Sequence, residues 1–254
     1  MSKFLFAATA LVAFATVGSA GAADLPAEPA YKTPAAVAPG FSWTGCYLGA
    51  GGGYGTWTDN ATYETFPALT PLSQTVTSGG KGWFGTGQIG CDYQFGRLVV
   101  GAFGDGDVGS IKGNMLVPYS GEAGNANESS AWAAGGRVGL VVWPKFLAYV
   151  SGGYTEAHFD QLNLTNVNLT VPSPGLYTVA NTYNGWFLGT GYEYGLDFLP
   201  GLFWKTEYRY ASYSAVDLPM LLPGGVPSGV GFNSQKAIQT IRSELVWRFS
   251  WGSP

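Results

Sequence analysis

Residues 203–212 read FWKTEYRYAS, and their alternation decides the fold. In an extended strand Lys205, Glu207 and Arg209 share one face, while Trp204, Thr206, Tyr208 and Tyr210 share the other. A water-soluble sheet turns its apolar face to a core and its charges to solvent. Here both signs of charge lie on one face, which can therefore close on itself as a network of ion pairs. The aromatic face is left to meet an apolar surrounding. The same division recurs upstream, where Glu193 with Gly185, Gly189 and Gly191 opposes Trp186, Leu188, Tyr192 and Tyr194. It recurs again near the C-terminus, where Thr240, Arg242 and Glu244 oppose Ile241, Leu245, Trp247 and Phe249. A sheet embedded in lipid must close, because an open edge would leave backbone groups unpaired in hydrocarbon. The pattern predicts an all-β protein, an eight-stranded antiparallel transmembrane β-barrel with its charges inside. A secreted lipocalin-like barrel with an apolar cavity is the alternative, and it requires the opposite parity.

Eight segments alternate in this way, over about 43–57, 81–95, 98–112, 130–142, 146–159, 184–196, 202–213 and 237–250. The connections after the second, fourth and sixth are short: FGR, WPKF and DFLPG. Those after the first, third, fifth and seventh are long, polar and rich in Asn, Ser, Thr, Gly and Pro. This alternation predicts long extracellular loops and short periplasmic turns. Composition agrees. Only 11% of the 254 residues are charged, 15% are aromatic and 39 are glycine, against roughly a quarter charged in an average soluble domain. Mean hydropathy is nevertheless only +0.09, and beyond the N-terminal segment no apolar run is long enough for a spanning helix.

The first residues supply an address. Lys3, the apolar run FLFAATALVAFATVG and the small residues Ala20-Gly21-Ala22 form a signal peptide over 1–22. An Ala/Pro-rich periplasmic linker follows over 23–42, and the outer-membrane barrel domain occupies 43–254. Removal of Lys3 leaves 11 basic against 16 acidic residues. That balance, without any basic run, argues against a nucleic-acid partner.

Several stretches together resemble the small outer-membrane barrel family of alphaproteobacteria, often called outer-membrane immunogenic or porin-family proteins. They are FSWTGCYLGAGGGYGTW, GWFGTGQIGCDYQF, LVVGAFGDGDVGSIKG, GRVGLVVW, YVSGGY, GWFLGTGYEYGL, WKTEYRY and the terminal LVWRF. The resemblance spans essentially the whole mature chain and is weakest in the long loops. It implies an eight-stranded barrel abundant at the cell surface, with no catalytic residues. Phe103 stands where the family pattern often has Glu, and Gly135 where it often has Arg, which implies a thinner interior ion network. Insertion signals of such barrels end at an aromatic, here Phe249, although Trp251 is in phase to extend the strand.

Other constellations in the sequence compete with this reading. Gly85-x-Gly87-x-x-Gly90 has the spacing of a dinucleotide-binding turn, but another alternating segment follows it where that turn needs a helix. Cys46 and Cys91 fall near the periplasmic ends of adjacent strands. A register in which paired numbers sum to 137 joins them. It also sets Leu48 against Ile89, Ala50 against Gly87, Gly52 against Gly85 and Tyr54 against Trp83. An oxidising periplasm then predicts a disulfide, with two lipid-facing thiols as the alternative. His158 is the only histidine. It has no Ser two residues away to make the nucleophile–base pair of a lipid-modifying enzyme, and one His with no Cys cluster predicts no metal site. No cofactor is expected. The barrel-interior charges are Asp92, Asp105, Asp107, Arg137, Glu193, Lys205, Glu207, Arg209, Arg242 and Glu244. Eight strands leave room only for side chains, so these predict a packed plug in preference to an ion path.

The expectation is a structural surface protein of the Gram-negative-type outer membrane that contributes to envelope integrity. Its partners would be outer-membrane lipid, lipopolysaccharide and the barrel-assembly machinery, the last through the C-terminal strand and Phe249. A narrow channel or a loop-based ligand binder is the alternative. The resemblance implies haem as a ligand for some members, which one His supports poorly. The least favoured alternative is a lipid-modifying enzyme.

Overall fold

The computed structural model describes residues 41–117, 121–166 and 172–249. The expected signal peptide, the linker as far as residue 40, and Trp251 lie outside them. Eleven strands carry the fold: β1 Gly45–Thr65, β2 Val76–Phe95, β3 Leu98–Val117, β4 Glu122–Trp143, β5 Phe146–Phe159, β6 Leu162–Asn166, β7 Pro172–Thr178, β8 Asn181–Gly195, β9 Leu202–Tyr213, β10 Val216–Leu222 and β11 Val226–Phe249. Eight of them form a closed ring in the order β1-β2-β3-β4-β5-β8-β9-β11. Antiparallel pairing of β1 with β11, from Cys46↔Phe249 to Thr65↔Val230, closes it and abolishes the sheet edge.

The connections between β2 and β3, β4 and β5, and β8 and β9 are short. At the other end the structure corrects the expected long loops. β1 continues to Thr65 and β2 begins at Val76, so the first is much shorter than the sequence suggests. The third expected loop contains β6 and β7, and the fourth contains β10. The alternation does persist there. Trp57, Asp59 and Ala61 are buried while Thr58 and Asn60 face out. With polar residues on the outer face, the apolar count no longer marks a strand.

A second reason is a change of face. Ala157 and Phe159 of β5 point inward, but so do Leu162 and Leu164 of β6. Tyr183 and Phe187 of β8 are preceded by Thr178 of β7, and Ala211 and Tyr213 of β9 are followed by Leu218 and Met220 of β10. Inward parity thus switches from odd to even in three neighbouring strands at one level. Because the strands slip together, their mutual register is kept: Gly185↔Tyr213 and Tyr177↔Leu221 have the same offset. So do Phe159↔Asn181 and Leu162↔Thr178. A one-residue slip reverses every side chain, which breaks the sequence period at residues 160–161, 179–180 and 214–215.

Candidate functional site

The inner face of the ring is arranged in three levels. Nearest the short turns, Arg137 of β4 donates from Nε to Asp92 Oδ1 at 2.9 Å and from Nη1 to Glu193 Oε1 at 2.5 Å. Arg248 of β11 bridges the same two acids, donating from Nη1 to Asp92 Oδ2 at 2.8 Å and from Nη2 to Glu193 Oε2 at 2.5 Å. Two carboxylates and two guanidiniums thus neutralise one another. Tyr47 lies beneath both arginines, 4.6 Å and 4.8 Å from its ring centre. A planar fork of donors suits this double bridging better than a point-like ammonium would.

At mid-height Arg209 holds Asp105 in a bidentate pair at 2.9 Å and 2.8 Å and reaches Glu207 from Nε at 2.9 Å. Arg242 spans Asp105 at 3.1 Å and Asp107 at 2.9 Å. Lys205 donates to Gln88 Oε1 at 2.7 Å and lies 3.6 Å from Glu207 and 3.5 Å from Glu244. Phe103 and Phe187 occupy the space where the resemblance implied further ions. Their rings meet at 6.0 Å, and the Arg209 guanidinium lies 4.2 Å from the centre of Phe187. A side chain at Gly135 would run into Gly152 O at 2.4 Å and Phe187 Cζ at 2.9 Å. An aromatic pair capped by an arginine thus fills the lumen at this level.

The upper level is mainly apolar. Trp57, Phe159 and Tyr183 surround Lys236, whose Nζ is 3.1 Å from Asp59. Beyond them Met115, Leu162, Leu218, Met220 and Phe232 are buried. The lumen is filled. A cavity bounded by Asp105, Glu128, Thr155, Arg209, Tyr213 and Arg242 measures about 20 Å³, room for about one water.

The ten residues expected in the interior are thus all placed on the inner face, with Asp107 at its upper margin. Arg248, Asp59, Lys236 and Glu128 were missed. Arg248, inside the last expected segment, and Lys236, one residue before it, stand in phase with Arg242 and Glu244, so that strand's parity finds both. Asp59 lies two residues beyond the end of the first expected segment.

The outer face is the reverse. Trp204, Tyr208 and Tyr210 are 45%, 45% and 36% exposed, against 2%, 1% and 4% for Lys205, Glu207 and Arg209. Aromatic side chains form two bands around the ring. One contains the ring contacts Tyr54–Trp83, Trp132–Tyr154 and Trp186–Tyr210. The other, toward the short turns, contains Tyr93–Phe95, Trp143–Phe146 and Phe146–Tyr192. Leu48, Ile89, Val138, Val150, Leu188 and Leu245 are exposed between them.

On this outer face Cys46 and Cys91 are register partners and form a disulfide. The same register sets Leu48 against Ile89, Ala50 against Gly87 and Tyr54 against Trp83. Gly85, Gly87 and Gly90 lie within β2, paired on both sides, so the nucleotide-turn spacing belongs to a strand. His158 faces outward with Nδ1 3.0 Å from Thr182 Oγ1.

No family model matches the chain. It is 29% identical over 256 residues to the 31 kDa outer-membrane immunogenic protein of Brucella melitensis, covering 97% of this chain and all of that one. The protein of the same name from Brucella suis matches to the same extent. In fold it is similar to the outer membrane protein OprG of Pseudomonas aeruginosa, with a TM-score of 0.57 at 12% identity over 84% of this chain and 99% of that one. The closed ring, its inverted faces and these relatives converge: the chain is a homologue of the 31 kDa outer-membrane immunogenic proteins and resides in the outer membrane.

Proposed function

We propose that the ring is an eight-stranded transmembrane β-barrel, a structural surface protein that contributes to envelope integrity. The observation that carries this reading is the inversion of faces, with neutralised charges inside and an aromatic-banded apolar wall outside. The bands have the spacing a membrane needs. Ten residues separate Trp83 from Tyr93 on β2. That is about 33 Å of strand, or about 25 Å of height at a tilt near 40°. The end that carries β6, β7 and β10 faces the exterior, and the short turns face the periplasm. Outer-membrane lipid and lipopolysaccharide bathe the wall, and the barrel-assembly machinery takes up the C-terminal strand ending at Phe249. Neither nucleic acid nor a cofactor has a part in this reading, and no catalysis is assigned.

The packed lumen supports a structural role over conduction. Migration of the purified chain on a gel before and after boiling tests the barrel, since a closed barrel migrates differently when unfolded. Planar-bilayer recording tests the role. An absence of discrete openings is expected, and regular openings would replace the structural reading with a narrow channel.

A further inference from the structure

Six of the ten cations among the described residues are buried in the lumen: Arg137, Lys205, Arg209, Lys236, Arg242 and Arg248. Two lie at the short-turn end, where Lys145 meets Asp197 at 2.5 Å and Arg97 donates to the carbonyls of Val141 and Val142. The remaining two, Lys81 of β2 and Lys112 of β3, are exposed and stand directly opposite each other in the register. Like charges in that position are destabilising. Among the described residues neither makes an ion pair. Asp160, which feels the charge of Lys112 without forming an ion pair with it, accepts from Asn127 Nδ2 at 2.6 Å, and Asn127 is the register partner of Lys112. Glu156, at a similar height further round the ring, is occupied by Trp132 Nε1 at 3.0 Å and Tyr154 Oη at 2.6 Å.

The lysines border an open depression of about 510 Å³, lined also by Thr56, Gly79, Gly113 and Asn114. Gly79, on the same outward face of β2 as Lys81, has no side chain to fill it. Its height is informative. Lys81 is two residues beyond Trp83, which places the pair about 5 Å above the outer aromatic band. Phosphates of lipid headgroups lie at that level in an outer leaflet.

We infer that Lys81 and Lys112 hold the phosphate of an outer-leaflet glycolipid headgroup, with Thr56 and Asn114 offering hydrogen bonds beside it. The inference rests on the barrel reading above. An anion between the ammonium groups converts their repulsion into two charge-assisted contacts. The sugar to which the phosphate is attached fits the depression, and the acyl chains run down the apolar wall past Trp83.

Native mass spectrometry of the purified, folded chain tests this with bisphosphorylated lipid A, dephosphorylated lipid A and inorganic phosphate as separate probes. The wild type is expected to keep an adduct of the phosphorylated lipid. The double variant Lys81→Gln/Lys112→Gln is expected to lose about tenfold or more of it, and Lys81→Arg/Lys112→Arg to retain it. Equal retention by the Gln variant, equal binding of the dephosphorylated lipid, or binding of inorganic phosphate without preference for the lipid would overturn the inference. Both substitutions face outward, and heat-modifiable migration of each variant shows that it is folded. A wild type lacking that migration would instead count against the barrel itself.

Discussion

Arg137 on β4 and Glu193 on β8 meet across the lumen at 2.5 Å, and Arg248 on β11 holds the other oxygen of the same carboxylate. Both arginines also hold Asp92 on β2. Four strands that are distant in sequence are thereby tied at one level.

Removing one member strands the others. Glu193→Leu leaves two buried guanidiniums sharing one acid and is expected to cost about 3–5 kcal/mol. Urea unfolding of the folded chain in detergent measures this. A loss below about 1 kcal/mol would mean that water enters and solvates the arginines.

The disulfide closes a separation of 45 residues, for which chain entropy predicts up to about 4 kcal/mol. Cys46→Ala/Cys91→Ala should lower the urea midpoint accordingly while leaving the ring closed. Without reduction neither cysteine should take up an alkylating label. A mass increase of one label per thiol in unreduced protein would contradict the bridge.

Glycines of the wall differ in what a methyl group would meet. Nothing lies within 4 Å of a side chain at Gly106, whereas Gly135 faces Gly152 O and Phe187. Gly135→Ala is expected to destabilise by about 1–3 kcal/mol, and Gly106→Ala to change stability by less than about 0.5 kcal/mol. Similar urea midpoints for the two variants would refute the packing described around Phe187.

Much of this was legible in the sequence because the chain obeys one period for long stretches. The parity of Lys205, Glu207 and Arg209 identifies the inner face, and the cysteines fix the register of β1 with β2. What escaped has physical causes. Polar outer residues hid the upper part of β1. Slips of one residue hid β6, β7 and β10, since a fixed period carried across residues 179–180 turns every later assignment inside out. Arg248 lies within the last expected segment, in phase with Arg242 and Glu244, so the parity of that strand already assigns it to the inner face.

Those slips make a prediction of their own. Pairing between β7–β8 and β9–β10 is interrupted between Tyr177↔Leu221 and Gly185↔Tyr213, save for the Ser214 N–H that donates to Asn184 O at 2.9 Å. Hydrogen exchange should therefore be faster at residues 179–180 and 215 than at 186–192 and 204–210. Uniform protection through both strands would argue against the interruption.

At the outer rim Glu64 is buried on β1 near Asp217 of β10, and burial, followed by repulsion from Asp217, raises its carboxyl above the ordinary glutamate range. A raised folded value means that protonation favours the fold, so this group's contribution falls as pH rises through that value. Carbon-13 titration should place the Glu64 midpoint above about 4.3, and Asp217→Asn should lower it. An unshifted midpoint in the wild type would refute the contact.

The strand FWKTEYRYAS offers the most direct test of the central claim that lipid, and not water, meets the aromatic face. Single spin labels placed from 203 to 211 in the barrel reconstituted in bilayers can be exposed to oxygen, which partitions into lipid, and to a water-soluble nickel chelate. Labels at 204, 206, 208 and 210 should collide preferentially with oxygen, in alternation with protected sites at 205, 207 and 209. Even-numbered sites that instead collide with the nickel chelate would contradict the account and make the ring a water-soluble one.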